Sequence, residues 1–344
     1  MRPAGWIAAL AAAWCCWVAP AARATEACPP QPAPLSADDV QRGMRDAVDR
    51  GFLFRASKGG KTSWLYGTLH VARQTWMFPG PQVRSALQAV DKVALELDML
   101  DPDIQRRLMA VLAVAPGAPT LTGPVQRRLR TQMDKACAGQ ELAALRPEMQ
   151  AVTLTVMVGR RAGLEPAFGI DGFLAGYARG LRKPVLSLET PEAQIGLLLQ
   201  PTPAETETFV GHALDELDSG RALPTLRRLA EAWARSDWAE LSSYADWCHC
   251  VDSDDDKRLM HRLLDERNLA MAAQLQARHE AGEQLFVAVG ALHMIGDEGL
   301  PALLKARGFE VERVAPTLTP VAGHQGACDG PAKPDSCKTL DKPR

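Results

Sequence analysis

Two short groups of residues in this chain have the types and spacing for chemistry: Gly67-Thr68-Leu69-His70 and Gly290-Ala291-Leu292-His293. For this composition chance alone supplies about 0.5 Gly-x-x-His pairs, so the spacing says little by itself. The setting says more. Each group follows an apolar run, residues 62–66 and 285–289, each has leucine just before the histidine, and each precedes a helix-strand return. Each imidazole therefore falls beyond the carboxyl end of a strand, the edge at which open α/β sheets bind ligands. A loop histidine satisfied by local hydrogen bonds is the plain alternative.

Other side chains could complete such a site. In residues 93–99, Val-Ala-Leu-Glu-Leu-Asp-Met, the large apolar residues share one strand face and leave Ala94, Glu96 and Asp98 on the other. A carboxylate on a covered face needs a cation, a donor or a raised pKa; on an edge strand that face would simply be wet. In residues 259–275 an apolar stripe of Met260, Leu264, Met271 and Leu275 includes Arg267 and Asn268. A core-facing guanidinium must find carboxylates, carbonyls or an anion, unless it snorkels to the surface. Glu189 ends a short strand, and Asp171 begins a helix as its expected cap. Two neutral imidazoles and a carboxylate suit a divalent transition metal with a position open to water, and a nearby arginine suits a developing oxyanion. That is the chemistry of amide or ester hydrolysis. No Gly-x-Ser-x-Gly elbow, His-Glu-x-x-His pair, Walker loop or dinucleotide fingerprint competes with it.

The elements that must position these residues follow from periodicity. Residues 62–66, 81–90 and 93–99 read as strand, helix and strand, and residues 285–289, 299–307 and 309–314 repeat that order. Between them residues 149–164 and 172–181 read as partly buried helices, and residues 184–188 as a strand. Thr190-Pro191 caps a helix running toward Leu199. Residues 205–244 are polar with helical spacing, which predicts a surface insertion. The expected fold is α/β: a mainly parallel or mixed sheet with helices on both faces, two strand-helix-strand pseudo-repeats, and a largely helical middle insertion.

Composition sets the class. The chain has 344 residues, 39 basic against 41 acidic side chains, and only three tyrosines and eight phenylalanines. Without a basic stripe carrying aromatics, nucleic acid is not expected as a partner. Arg2, an apolar run over residues 6–18 and Ala22-Arg23-Ala24 predict a cleavable export signal over residues 1–24, and hence no stable membrane insertion afterwards. A Pro/Ala-rich segment (25–44), an α/β domain (45–315) and a poorly ordered tail (316–344) follow. Cleavage would remove Cys15 and Cys16 and leave Cys28, Cys137, Cys248, Cys250, Cys328 and Cys337. An even number in an exported protein, periplasmic or secreted, points to disulfides. The alternative of a metal site at Cys248-His249-Cys250 has poor ligand spacing. His249, His261 and His279 read as ordinary.

Taken together, Leu65-Tyr66-Gly67-Thr68-Leu69-His70-Val71, residues 93–98, Gly169-Ile170-Asp171, Leu188-Glu189-Thr190-Pro191-Glu192-Ala193-Gln194, Arg267-Asn268 and Val289-Gly290-Ala291-Leu292-His293-Met294-Ile295-Gly296 resemble the ordered motif blocks of the TraB/PrgY/GumN family, related to the Tiki metalloproteases. The resemblance spans roughly residues 50 to 315. It implies an α/β fold with a pseudo-repeat and a metal site around His70, His293 and Glu96. From Tiki relatives it implies Mn²⁺- or Co²⁺-dependent proteolysis, and from PrgY-like members interference with peptide pheromones; the residue types alone also admit Zn or Fe.

The resulting expectation is an exported metal-dependent hydrolase acting on peptides or proteins. His70, His293 and Glu96 hold or serve the metal, Glu96 acting as ligand or general base. Arg267 and Asn268 orient substrate, Gly67 and Gly290 shape the motifs, and Asp171, Glu189 and Gln194 stand behind them. The rival expectation is a non-catalytic envelope protein that sequesters a peptide pheromone, or haem through one of the same histidines.

Overall fold

The computed structural model describes residues 28–29, 31–114 and 120–317; the expected signal, Cys15, Cys16, Cys328 and Cys337 lie outside them. Six strands form one sheet: β1 (Phe52–Lys58), β2 (Lys61–Thr68), β3 (Lys92–Leu95), β4 (Val185–Ser187), β5 (Leu285–Gly290) and β6 (Glu310–Val314). Their order is β4-β3-β5-β2-β1-β6. β4, β3, β5 and β2 run parallel, whereas β1 is antiparallel to both β2 and β6. The protein is thus α/β with a mixed, mostly parallel sheet. β5 is buried from Leu285 to Val289, which is why a continuous apolar run rather than an alternating one encodes it. β1 and β2 are joined by Gly59-Gly60, both at positive φ, the two-residue hairpin connection that glycine makes without strain.

Both strand-helix-strand units form. From β2 the chain crosses by the Pro81–Gln88 helix to β3, and from β5 by the Leu300–Ala306 helix to β6. The two crossings run in opposite directions over the sheet, so right-handed connections put their helices on opposite faces. Each has its own neighbours: Phe78 beside the first helix meets Phe173 of the Ile170–Gly180 helix at 5.1 Å, while the Leu300–Ala306 helix packs with Arg267–Glu280.

Several expectations are corrected. The strand expected over 93–99 stops at Leu95. β3 lies between β4 and β5, so Glu96 is covered and the wet-edge alternative fails. The helix expected to run toward Leu199 ends at Gly196. The Ala37–Asp46 helix, opened by a Ser36–Asp39 capping box, packs Val40 and Met44 on the core. The middle is more than a surface insertion. Leu129, Met133, Leu154, Val210 and Leu214 form a second core, and Trp233 is fully buried in the first. Two disulfides, Cys28–Cys137 and Cys248–Cys250, are formed.

The stretch expected as one helix over 259–275 is interrupted. A π-helical turn, Arg262–Glu266, separates the Asp254–His261 helix from Arg267–Glu280. One wide turn shifts the phase of the side chains. Asn268, Met271, Ala272 and Leu275 are therefore buried, while the Asp254–His261 helix buries none.

Candidate functional site

Four adjacent parallel strands deliver the site at their carboxyl ends. His70 follows β2, His293 follows β5 in a short 3₁₀ turn, Glu96 follows β3 and Glu189 follows β4. Backbone hydrogen bonds from Leu188 N to Leu95 O (2.8 Å) and from Glu189 N to Glu96 O (3.1 Å) carry the β3–β4 pairing into the site. The motif glycines are close-approach positions. A Cβ on Gly67 would stand 3.0 Å from the Ala291 Cα, and one on Gly290 would stand 3.3 Å from Glu96 Oε1. A Cβ on Gly169 would fall 2.8 Å from the His70 carbonyl oxygen, where the Ile170 N–H donates to Leu69 O.

Glu96 is the hub and is 6% exposed. Its Oε1 accepts from the Gly290 N–H at 2.7 Å and lies 3.7 Å from His293 Nε2. Its Oε2 accepts from Gln194 Nε2 at 2.9 Å and from Arg267. Arg267 also donates to both Glu189 oxygens, at 2.8 and 2.5 Å, and to Leu263 O. With its side chain 12% exposed it does not snorkel. Burial by itself raises the Glu96 carboxyl, but His293, His70, Arg267 and the Gly290 N–H outweigh that and hold it at about 2. Burial pulls the Arg267 guanidinium down, and the Glu189 and Glu96 carboxylates more than reverse this.

The histidines share a device. His70 Nδ1 is 2.9 Å from Asp171 Oδ2, whose other oxygen accepts from Thr68 Oγ1 at 2.5 Å. His293 Nδ1 is 2.7 Å from Asn268 Oδ1, and Asn268 Nδ2 donates to Glu298 O at 2.8 Å. An oxygen acceptor at Nδ1 fixes the ring and leaves Nε2 as the ligating atom. Their surroundings differ. The His70 ring opens on the cavity, although protein crowds its base, and the Asp171 charge lifts it to about 9. Burial pushes His293 down to about 4.

The expected site residues thus form two networks, His70 with Asp171 and Glu96 with Glu189, Gln194, Arg267, Asn268 and His293, and His70, Asp171, Glu96 and Gln194 line one cavity. Roles move, however. Asp171 is not a cap, since Gly169 stands at that position without a side-chain bond; it is the partner of His70. Arg267 and Asn268 are engaged by Glu96, Glu189 and His293 rather than left facing a substrate. Sequence reading missed Thr68, although it sits inside its own motif, and Trp233, whose Nε1 donates to Gly67 O at 2.7 Å.

The donor set fits a divalent cation: two imidazoles oriented through Nδ1 beside an ionised carboxylate. Three carboxylates, Glu96, Glu189 and Asp171, face one guanidinium, and a cation at His70 Nε2 would displace the proton that the Asp171 charge holds on that ring in the metal-free protein. Closure around an ion is incomplete, because His70, Glu96 and His293 do not bring one ligand atom each within 4.8 Å of one another. Among the described residues the group that does is His261, Asp265 and Glu298.

The fold and site define an α/β protein with a two-histidine, carboxylate-rich centre at the carboxyl edge of its parallel strands. The sequence profile of the TraB/PrgY/gumN family matches residues 52–313, and the chain belongs to that family. It is 26% identical to the uncharacterized protein YbaP of Shigella flexneri over 258 residues, 72% of this chain and 89% of that protein. To YbaP of Escherichia coli K12 it is 29% identical over 160 residues, 45% of this chain and 54% of that one. No solved structure matches.

Proposed function

We propose that this protein is an exported metal-dependent hydrolase, a peptidase, in which His70, His293 and Glu96 hold a divalent cation. The carrying observation is the paired arrangement at the ends of the adjacent strands β2 and β5: two imidazoles with Nδ1 tied to a side-chain oxygen, the second of them 3.7 Å from the buried Glu96 carboxylate that follows β3. A carboxylate held at about 2 is a weak proton acceptor, which favours Glu96 as ligand over Glu96 as general base. Arg267 and Gln194 keep that carboxylate in place, and Asn268 and Asp171 keep the rings in place. A divalent cation, Mn²⁺ or Co²⁺ by family resemblance, would supply Lewis acidity toward a substrate carbonyl and lower the pKa of water. Two disulfides and the export-signal pattern of residues 1–24 support a periplasmic or secreted setting. Among the described residues no helix is long and apolar enough to cross a membrane.

The second reading, a protein that sequesters a peptide without cleaving it, draws on Arg267 and Asn268 being engaged by the site's own residues. Two measurements decide. Metal content of protein purified from an oxidising compartment without chelator should be about one equivalent, and should fall in both His70→Ala and His293→Ala. No uptake of Mn, Co, Zn or Fe on reconstitution, or equal uptake in the variants, overturns the metal site. Excess peptide should then be turned over and chelator should stop it; stoichiometric saturation instead establishes the sequestering reading.

A further inference from the structure

Among the described residues the two disulfides differ in what they can do for the chain. Cys28–Cys137 joins residues 109 apart; a bridge across so long a loop takes much freedom from the unfolded chain and acts as a staple. Cys248–Cys250 joins residues two apart, and a ring closed around His249 alone removes almost none. The fold gains little from that second bond.

The backbone carries the same difference. Cys137 and His249 both lie at positive φ, 54° and 55°, where a residue with a side chain is uncommon. At Cys137 the helix end offsets the cost, because Cys137 N donates to Asp134 O and Ala138 N to Met133 O, both at 3.0 Å. At His249 the corresponding donor, the Cys250 N–H, turns instead to Cys248 Sγ at 3.1 Å. The left-handed residue there serves the sulfur ring. The two cysteines are also unequal, since Cys248 is 6% exposed and Cys250 only half-buried. Beside them a groove of about 290 Å³, lined by Arg221, Thr225, Arg228, Trp247 and His249, has room for a side chain of a docked segment. Trp247 is fixed in it by its Nε1, which donates to Glu240 O at 3.2 Å, and by the Arg228 guanidinium 4.4 Å over its ring.

We propose that Cys248–Cys250 is a thiol–disulfide exchange site that passes its disulfide to a dithiol segment of a partner protein. A thiolate of the partner attacks the more accessible Cys250 sulfur. The S–S bond breaks, its electron pair leaves on Cys248 Sγ, where the Cys250 N–H already donates, and a mixed disulfide to Cys250 forms. The partner's second thiolate then attacks its own bridged sulfur and releases Cys250 as a thiolate. The partner thus loses two electrons and two protons, and Cys248 and Cys250 take them up as thiols. Opening the ring frees His249 from its left-handed conformation, which favours the reduced pair. A partner with a single thiol goes no further than the first stage, because the Cys248 thiolate, two residues from the mixed disulfide, closes the ring again and expels it. That selects a dithiol over a monothiol.

The test uses the oxidised full-length mature protein, with Cys28–Cys137 as the internal standard. In graded mixtures of reduced and oxidised glutathione, alkylation and peptide mass mapping should give an equilibrium constant for reducing Cys248–Cys250 at least tenfold larger than that for Cys28–Cys137. The exchange probes are acetyl-Cys-Ala-Ala-Cys-amide and acetyl-Cys-Ala-Ala-Ser-amide at equal thiol concentration. With the dithiol peptide, alkylatable thiols should appear at Cys248 and Cys250 at least tenfold faster than at Cys28 and Cys137, and at least tenfold faster than with the monothiol peptide. Two variants read which sulfur is attacked. Given the disulfide-linked dimer of the monothiol peptide, Cys248→Ser should form a mixed disulfide at Cys250 at least tenfold faster than Cys250→Ser forms one at Cys248. A Cys248–Cys250 bond as resistant as Cys28–Cys137, equal rates with the two peptides, or equal rates in the two variants overturns the exchange site. None of these readouts involves the metal centre.

Discussion

His70 and His293 end the same four-residue motif on neighbouring parallel strands, yet they belong to two different halves of the site. In the inner half, His293, Glu96, Arg267, Glu189 and Asn268 are nearly dry, and each polar group is answered by another side chain or a backbone group. In the outer half, His70 has a side chain 66% exposed and Asp171 17% exposed, and the ring stands on the cavity. The same sequence motif sets a backbone path. Burial and the partner at Nδ1, a neutral amide in one case and a carboxylate in the other, set the charge. Removing an inner residue should therefore cost stability as well as metal, and removing an outer one chiefly metal.

The largest expected effect is on the inner half. Arg267→Ala leaves two buried carboxylates, Glu96 and Glu189, without their guanidinium, and breaking such a pair by removing one partner costs about 3–5 kcal/mol. The urea midpoint should drop accordingly, with Arg267→Lys recovering part of it, because an ammonium cannot make the same forked contacts. A midpoint within error of wild type would break the division into halves.

Next come His293→Ala and Asn268→Ala. Each leaves a buried polar partner unanswered, at about 1–3 kcal/mol. The pH dependence of the chelator-treated protein sharpens the same point, because the two rings act with opposite sign. His293 is held at about 4, below its ordinary 6.5. As pH falls from 6.5 to 4 the unfolded chain takes up the proton first, so stability is lost in that window. His70 is held at about 9, so its contribution is present below 6.5 and is lost as pH rises through 9. Denaturation midpoints from pH 4 to 9.5 should show both arms, with His293→Ala removing the acid one and His70→Ala the alkaline one. Arms that persist in both variants belong to other groups.

How much of this was legible depends on the range of the interaction. β2, β3, β4 and β5 are readable because short apolar runs encode them locally, β6 because it alternates, and Glu96, Arg267 and Asn268 stand out because polar types occupy buried phases. β1 was not read, although Gly59-Gly60 marks its hairpin. Asp171 was read as a cap, since nothing local tells which histidine 101 residues away will meet it. Trp233 reaches Gly67 across 166 residues, a contact that polar helical periodicity hides. The π turn at Arg262–Glu266 likewise comes from packing, because Arg267 and Asn268 must both reach the centre from one helix.

The smallest stability effects and the most selective functional ones belong to the outer half. His70→Ala removes an exposed ring whose pairing with Asp171 is screened by water, so apart from the alkaline arm it should lower the unfolding midpoint less than any inner-half variant, while metal uptake falls. Asp171→Asn keeps an acceptor near Nδ1 but removes the charge that orients and lifts the ring; losing such a partner costs about 10–100-fold in metal affinity. Thr68, which donates to the other Asp171 oxygen, offers a milder step: Thr68→Val deletes one hydrogen bond to a carboxylate that remains. Metal titrations should rank the outer variants His70→Ala, Asp171→Asn and Thr68→Val in falling order of loss, with unfolding midpoints close together. If Asp171→Asn instead unfolds as readily as Asn268→Ala, the carboxylate is a structural tie between β2 and the Ile170–Gly180 helix, and the division between the halves fails at that residue.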